Sequence, residues 1–249
     1  MNRNNIMLKD MFVRKIRNCY IKLYNEINKT LKEITKKKIA LYAYISNNFD
    51  FGKENIVRKY VKFLVKKHIN ISSYEKSIKT VYLRGKKVAV KELKKFKYKE
   101  NDILYENFRD SKNIKKLFSM LKQKINNLNI FLIENIGIIF SLSITNNSLP
   151  TSIITKIKKL FESNDDIFFV ESKTEAHKII DISFYTGILS KYLESGIKKV
   201  KLIFYNNCKK CTTNENKLFD IEELLFSNPF HINCPYIIIP IMDEKVKNQ

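Results

Sequence analysis

The sequence predicts an α/β fold in its C-terminal half, a parallel sheet covered by helices on both faces. A basic, mainly helical N-terminal extension with one β-hairpin precedes it. Three observations predict this. The 249 residues carry 47 Lys+Arg against 25 Asp+Glu, a net +22, and the excess lies at the front: residues 1–125 hold 33 and 11, residues 126–249 hold 14 and 14. Apolar residues recur every three or four positions through much of the first half, the period of an amphipathic helix. After residue 125, short apolar runs alternate with helical patterns, as strands and crossover helices do in a parallel sheet. Charge and pattern together put the domain boundary between 1–125 and 126–249.

Leu8, Met11, Phe12, Ile16, Cys19, Leu23, Ile27, Leu31 and Ile34 define a long helix over 7–38. Its opposite face carries Arg14, Lys15, Arg17, Lys22, Lys29, Lys32, Lys36, Lys37 and Lys38. Val57, Tyr60, Val61, Leu64 and Val65 define a second helix over 53–68, with His68 at its end as a partner for the C-terminal dipole. Alternation of Val81, Leu83, Val88 and Val90 around Arg84-Gly85-Lys86-Lys87 reads as a hairpin with a basic tip. A helix over 112–128 follows, and then the apolar runs 130–133 and 136–144 read as strands. Pro150 opens a helix over 150–162, where its missing N–H is harmless. A strand at 167–170, a helix over 173–195 capped by Gly196, and a strand at 199–205 come next. A short helix near 217–226 and a strand at 236–241 complete the series.

Composition narrows the function. With 44% apolar and 12% aromatic residues, the chain buries a core and is no disordered basic tail. Five glycines, with neither GxGxxG nor GxxxxGK[ST], argue against a glycine-rich phosphate cradle. Four cysteines are too few for a disulfide scaffold. The N-terminus has no uninterrupted apolar stretch, so no secretory signal is expected. No run of about 18 uncharged apolar residues exists, so a membrane span is not expected. A charge of +22 calls for an acidic polymer as partner, nucleic acid first and an anionic membrane surface second. The cations expected on phosphates are Arg14, Lys15, Arg17, Lys36, Lys37, Lys38, Arg58, Lys59, Arg84, Lys86 and Lys87. Such contacts position a protein on RNA without reading its sequence.

Two constellations could carry chemistry. Cys208 and Cys211, with His231 and Cys234, have the paired spacing of a Cys3His zinc site, because ligands two residues apart can share one ion. That pattern supports an alternative reading, a zinc-bearing nucleic-acid-binding regulator of a virus or plasmid. Asp166, Glu171 and Lys173, on or beside one short strand, could hold a divalent ion and a cleaving phosphate, as in metal-dependent nucleases. His177 lies in a helical pattern without a paired Cys or Ser, so no nucleophilic triad is expected.

Four blocks of the second half resemble the small-subunit ribosomal protein two family. They are 130–145, with Ile130, Phe131, Asn135, Ile136, Gly137, Ile138, Ile139 and Phe140 at matching positions, and then 167–180, 184–192 and 231–244, in the family's order. The chain departs from the family in having no tryptophan, one glycine fewer in the third block and a shorter segment before the fourth. Residues 84–104 also resemble the strand half of the RNA-binding module of small-subunit ribosomal protein four. The main resemblance implies a Rossmann-like sheet without a catalytic site, held on ribosomal RNA among neighbouring small-subunit proteins. The resulting expectation is a non-enzymatic structural component of an organellar small ribosomal subunit with no cofactor, no small-molecule substrate and no membrane partner. Abundant Asn, Lys and Ile, all with AT-rich codons, point to the mitochondrion, with another organelle or the cytoplasm as alternatives.

Overall fold

The structure, a computed structural model, describes residues 3–37, 41–48, 56–69, 71–96, 108–145, 150–162, 167–204, 217–227 and 236–242. Among these the chain runs α1 (Arg3–Lys37), α2 (Leu41–Asn48), α3 (Ile56–His68), α4 (Glu75–Lys95), α5 (Phe108–Thr145), α6 (Pro150–Glu162) and α7 (Ile167–Glu194). Strands β1 (Lys199–Phe204) and β2 (Leu218–Asp220), the short α8 (Ile221–Leu224) and β3 (Tyr236–Ile241) follow.

The described residues form no Rossmann-like parallel sheet of the kind expected. The described sheet has three strands in the order β2-β1-β3, and both pairings are antiparallel. The runs read as strands at 130–133 and 136–144 belong to α5, and the run at 167–170 opens α7. The reason is visible along α5. Ile114, Leu117, Leu121, Ile125, Leu128, Leu132, Ile136 and Phe140 are all buried, at intervals of three and four, so one helical face continues through the supposed strands. The hairpin at 81–90 is also corrected. It lies inside α4, where Ile78, Val81, Tyr82, Gly85, Ala89 and Leu93 are buried at helical spacing. The predicted helices over 7–38, 53–68 and 150–162 are present as α1, α3 and α6, and β1 and β3 lie where strands were expected.

Two compact units divide the chain. The first gathers Met1–Asp10, Ser73–Leu121 and Thr174–Gln249; the second gathers Met11–Ser72 and Lys122–Lys173. Charge is shared between them: the first holds 26 Lys/Arg and 16 Asp/Glu, net +10, and the second 21 and 9, net +12.

In the first unit the sheet lies on α4 and α7. Val200, Leu202 and Phe204 of β1 and Tyr236 and Ile238 of β3 meet Ala89, Leu93, Ile188, Leu189 and Tyr192 in one apolar cluster. Alternation along β1 turns Lys199 and Lys201 away from that cluster. Pro240 sits on β3, an edge strand, where a missing ladder donor is tolerated. Gly196 ends α7 in the left-handed conformation at φ 79°. The Ile197 N–H then donates to the Tyr192 carbonyl, closing a Schellman turn that delivers buried Ile197 to the core.

In the second unit α1 supplies the spine through Ile16, Tyr20, Leu23, Ile27, Leu31 and Ile34. The hydroxyls of Thr30 and Tyr60 share a 2.7 Å hydrogen bond between α1 and α3. Tyr20 donates to Asn129 of α5 at 3.3 Å, and the Tyr24 ring packs on Phe161 of α6 at 5.5 Å.

Candidate nucleic-acid interface

Seven-residue spacing organises the cations of α1. Lys15, Lys22, Lys29 and Lys36 are exposed and stand two turns apart, about 10.5 Å per step. The row drifts about 20° per step, so it stays on one side of the helix for roughly 31 Å. Exposed Arg14 and Lys32 flank it, and exposed Asn18 and Asn25 add amide donors between the lysines. Each of the two acids in this part of α1 has a partner on another helix, Glu26 accepting from Lys67 of α3 at 3.0 Å and Glu33 from the Tyr44 hydroxyl of α2 at 2.9 Å, although Glu33 also lies among Lys29, Lys32 and Lys36. The hydrogen bond from Lys67 lowers the Glu26 pKa against the opposing effect of burial.

The same contacts set α3 beside α1, and α3 presents exposed Lys59, Lys62 and Lys66. The second unit therefore carries a cationic surface over two adjoining helices. Its side chains are exposed enough to neutralise phosphates at small desolvation cost. Of the expected contact residues, Arg14, Lys15, Arg17, Lys36, Arg58 and Lys59 are exposed here. Arg58 also meets Glu134 of α5 at 3.8 Å. Lys37 lies on α1, and Lys38 lies outside the described residues.

The expected basic hairpin tip is corrected. On α4, in the first unit, Lys87 is exposed and Arg84 half-buried, whereas Lys86 is 2% exposed and unable to reach a phosphate. Lys86 donates to both carboxylate oxygens of Asp110, at 2.9 and 2.7 Å, and to Glu194 at 3.0 Å. The Tyr82 hydroxyl donates to Asp110 at 2.6 Å, and Asn113 donates to Tyr82 and to Ser190. Burial, reinforced by the bond to Asp110, raises the Tyr82 pKa far above that of a free phenol. This is a closed polar network linking α4, α5 and α7, with its charges paired. No sequence spacing pointed to it, because its bonded partners lie 24 to 108 residues apart.

Glu171 and Lys173 lie on α7, so the short strand expected on or beside them is helical; Asp166 lies outside the described residues. Cys208, Cys211, His231 and Cys234 also lie outside them. Among the described residues no group of three or more His, Cys, Asp and Glu side chains could hold a metal ion. His68 does end α3, but burial and then neighbouring Lys67 lower its pKa, the opposite of what a helix C-terminus does alone.

These features define a mainly helical protein whose cations are displayed on helix faces. Compared with protein-family models, curated proteins and solved structures, the chain matches none.

Proposed function

We propose that the protein is a structural RNA-binding protein that grips the phosphate backbone through its second unit. The row Lys15, Lys22, Lys29 and Lys36 carries this reading, since four exposed cations at even spacing suit a regularly charged polymer. RNA is favoured over a small anion because the row is long and open, and because adjacent α3 widens it with Lys59, Lys62 and Lys66. On A-form helices such a surface recognises shape and backbone rather than bases.

The particle in this proposal is an organellar small ribosomal subunit, mitochondrial first, where the protein holds ribosomal RNA without catalysis. Support comes from charge and from the composition rich in Asn, Lys and Ile. The resemblance to the small-subunit ribosomal protein two family lends no support, since two of its quoted blocks are helical here rather than strands. The test is co-sedimentation with small subunits through a density gradient, alongside RNA binding from about 50 to 200 mM salt. Occurrence only in free fractions removes the ribosomal assignment, and salt-insensitive binding removes the electrostatic one.

A further inference from the structure

Beyond the cationic surface, the described residues of the second unit include an exposed apolar face. The helix stretch Asp110–Ser143 is long and apolar enough to cross a membrane by length and composition, yet only 28% of its apolar 18-residue segment is buried in the protein. Within it Ile130, Phe131, Ile138 and Leu142 are exposed, Ile138 by 56% and Leu142 by 53%. A methyl group added at Gly137, in the middle of this face, would meet nothing within 4 Å. Glu134 is its only acid, and Arg58 of α3 lies against it at 3.8 Å.

We propose that this face of α5 rests on an anionic lipid surface. The apolar side chains would enter the headgroup–acyl boundary, and the neighbouring cations would meet the headgroups. The opposite face, from Ile125 to Phe140, is packed in the unit's core, so the helix can lie on a bilayer but cannot be surrounded by one. Charge selects the occupant. The Arg58–Glu134 contact joins α5 to α3, so exposed Lys59, Lys62 and Lys66 adjoin the apolar face, and Lys122 stands on α5 ahead of it. A second copy docked on the same face would bring together two units of net +12. RNA could stack on Phe131 alone, since Ile130, Ile138 and Leu142 can neither stack on a base nor hydrogen-bond to one. An anionic bilayer satisfies the apolar and the cationic part of the surface together.

Flotation of the full chain with phosphatidylcholine vesicles, with and without phosphatidylglycerol, tests this directly. The protein is expected to float with the anionic vesicles, and less with the neutral ones. The double variant Ile138→Glu, Leu142→Glu should lower the partition about tenfold, by removing apolar area and adding like charge to the lipid. Both positions are exposed, so circular dichroism should be unchanged. RNA affinity, measured without vesicles, should fall far less than the vesicle partition, because Lys15, Lys22, Lys29 and Lys36 of α1 are untouched, which separates this face from the phosphate-gripping one. Failure to float with either vesicle overturns the proposal, and so does flotation that the double variant leaves intact. A dimer in light scattering that the variant converts to monomer would assign the face to a second copy instead.

Discussion

Lys86 and Asp110 form an ion pair at 2.7 Å in which the side chains are 2% and 0% exposed. Each charge depends on the other, because neither has water to fall back on. Lys86→Met would leave the Asp110 carboxylate buried without this ion-pair partner, and is expected to destabilise the fold by about 3–5 kcal/mol. Lys86→Met combined with Asp110→Asn should recover a good part of that loss, a coupling that urea denaturation in a double-mutant cycle would measure. If the two effects simply add, the pair is not the reason for the loss.

At the crossing of α4 and α7, Gly85 and Gly187 let two backbones meet. A Cβ on Gly85 would lie 2.0 Å from the Phe184 carbonyl oxygen, and one on Gly187 would lie 2.0 Å from that of Tyr82. The obstacle is backbone on both sides, so neither helix can yield locally. Gly85→Ala or Gly187→Ala should therefore cost about 3 kcal/mol or more, despite the better helix propensity of alanine. Gly137→Ala is the control: with open space around it, that substitution should stabilise by up to about 1 kcal/mol. Equal thermal shifts for all three would mean that the crossing is not tight.

This crossing also explains what the sequence concealed. Arg84-Gly85-Lys86-Lys87 looks like a turn if glycine means a bend and lysine means solvent. Here glycine means contact and one lysine is buried, and once both count as interior the helical period of α4 is unbroken from Ile78 to Leu93. The runs at 130–133 and 136–144 failed differently. A short continuous apolar run fits a buried strand and a helix equally well, and periodicity alone cannot choose between them. Length could have chosen, since no proline or glycine interrupts residues 108–136. By contrast α1, α3 and α6 were legible because each has one polar and one apolar face. The candidate interface was half legible: the cations of α1 stood out, but the buried partners of Lys86 come from distant segments that only folding brings together.

The even row on α1 makes a quantitative prediction. Each phosphate contact contributes roughly 0.7–0.9 to the slope of log affinity against log salt. The triple variant Lys22→Gln, Lys29→Gln, Lys36→Gln should therefore flatten that slope by roughly 2–3 and weaken binding to duplex and single-stranded RNA alike. Because these side chains are exposed, stability should change by less than about 0.5 kcal/mol per site. Lys86→Met, in folded protein, should leave the slope where it was. An unchanged slope in the triple variant would place the phosphates elsewhere.

His68 gives the second unit a pH response of defined sign. Burial and then Lys67 hold its pKa below the ordinary value of 6.5, although Glu26 pulls it back up. Its Nε2 is buried and has no hydrogen-bond partner among the described residues. The folded chain therefore keeps His68 neutral at a pH where the unfolded chain has begun to take up a proton. Stability is fully present above pH 6.5, falls as pH drops through that value, and levels off below the folded pKa. Urea midpoints measured at steps from about pH 7.5 to 5.5 should decline, and His68→Gln should make the decline shallower. The Glu26–Lys67 bond acts in a lower window, since the Glu26 pKa is depressed from 4.5 and its contribution is lost only as pH falls through that depressed value. A decline between pH 7.5 and 5.5 that is equally steep in His68→Gln would assign the response to another group.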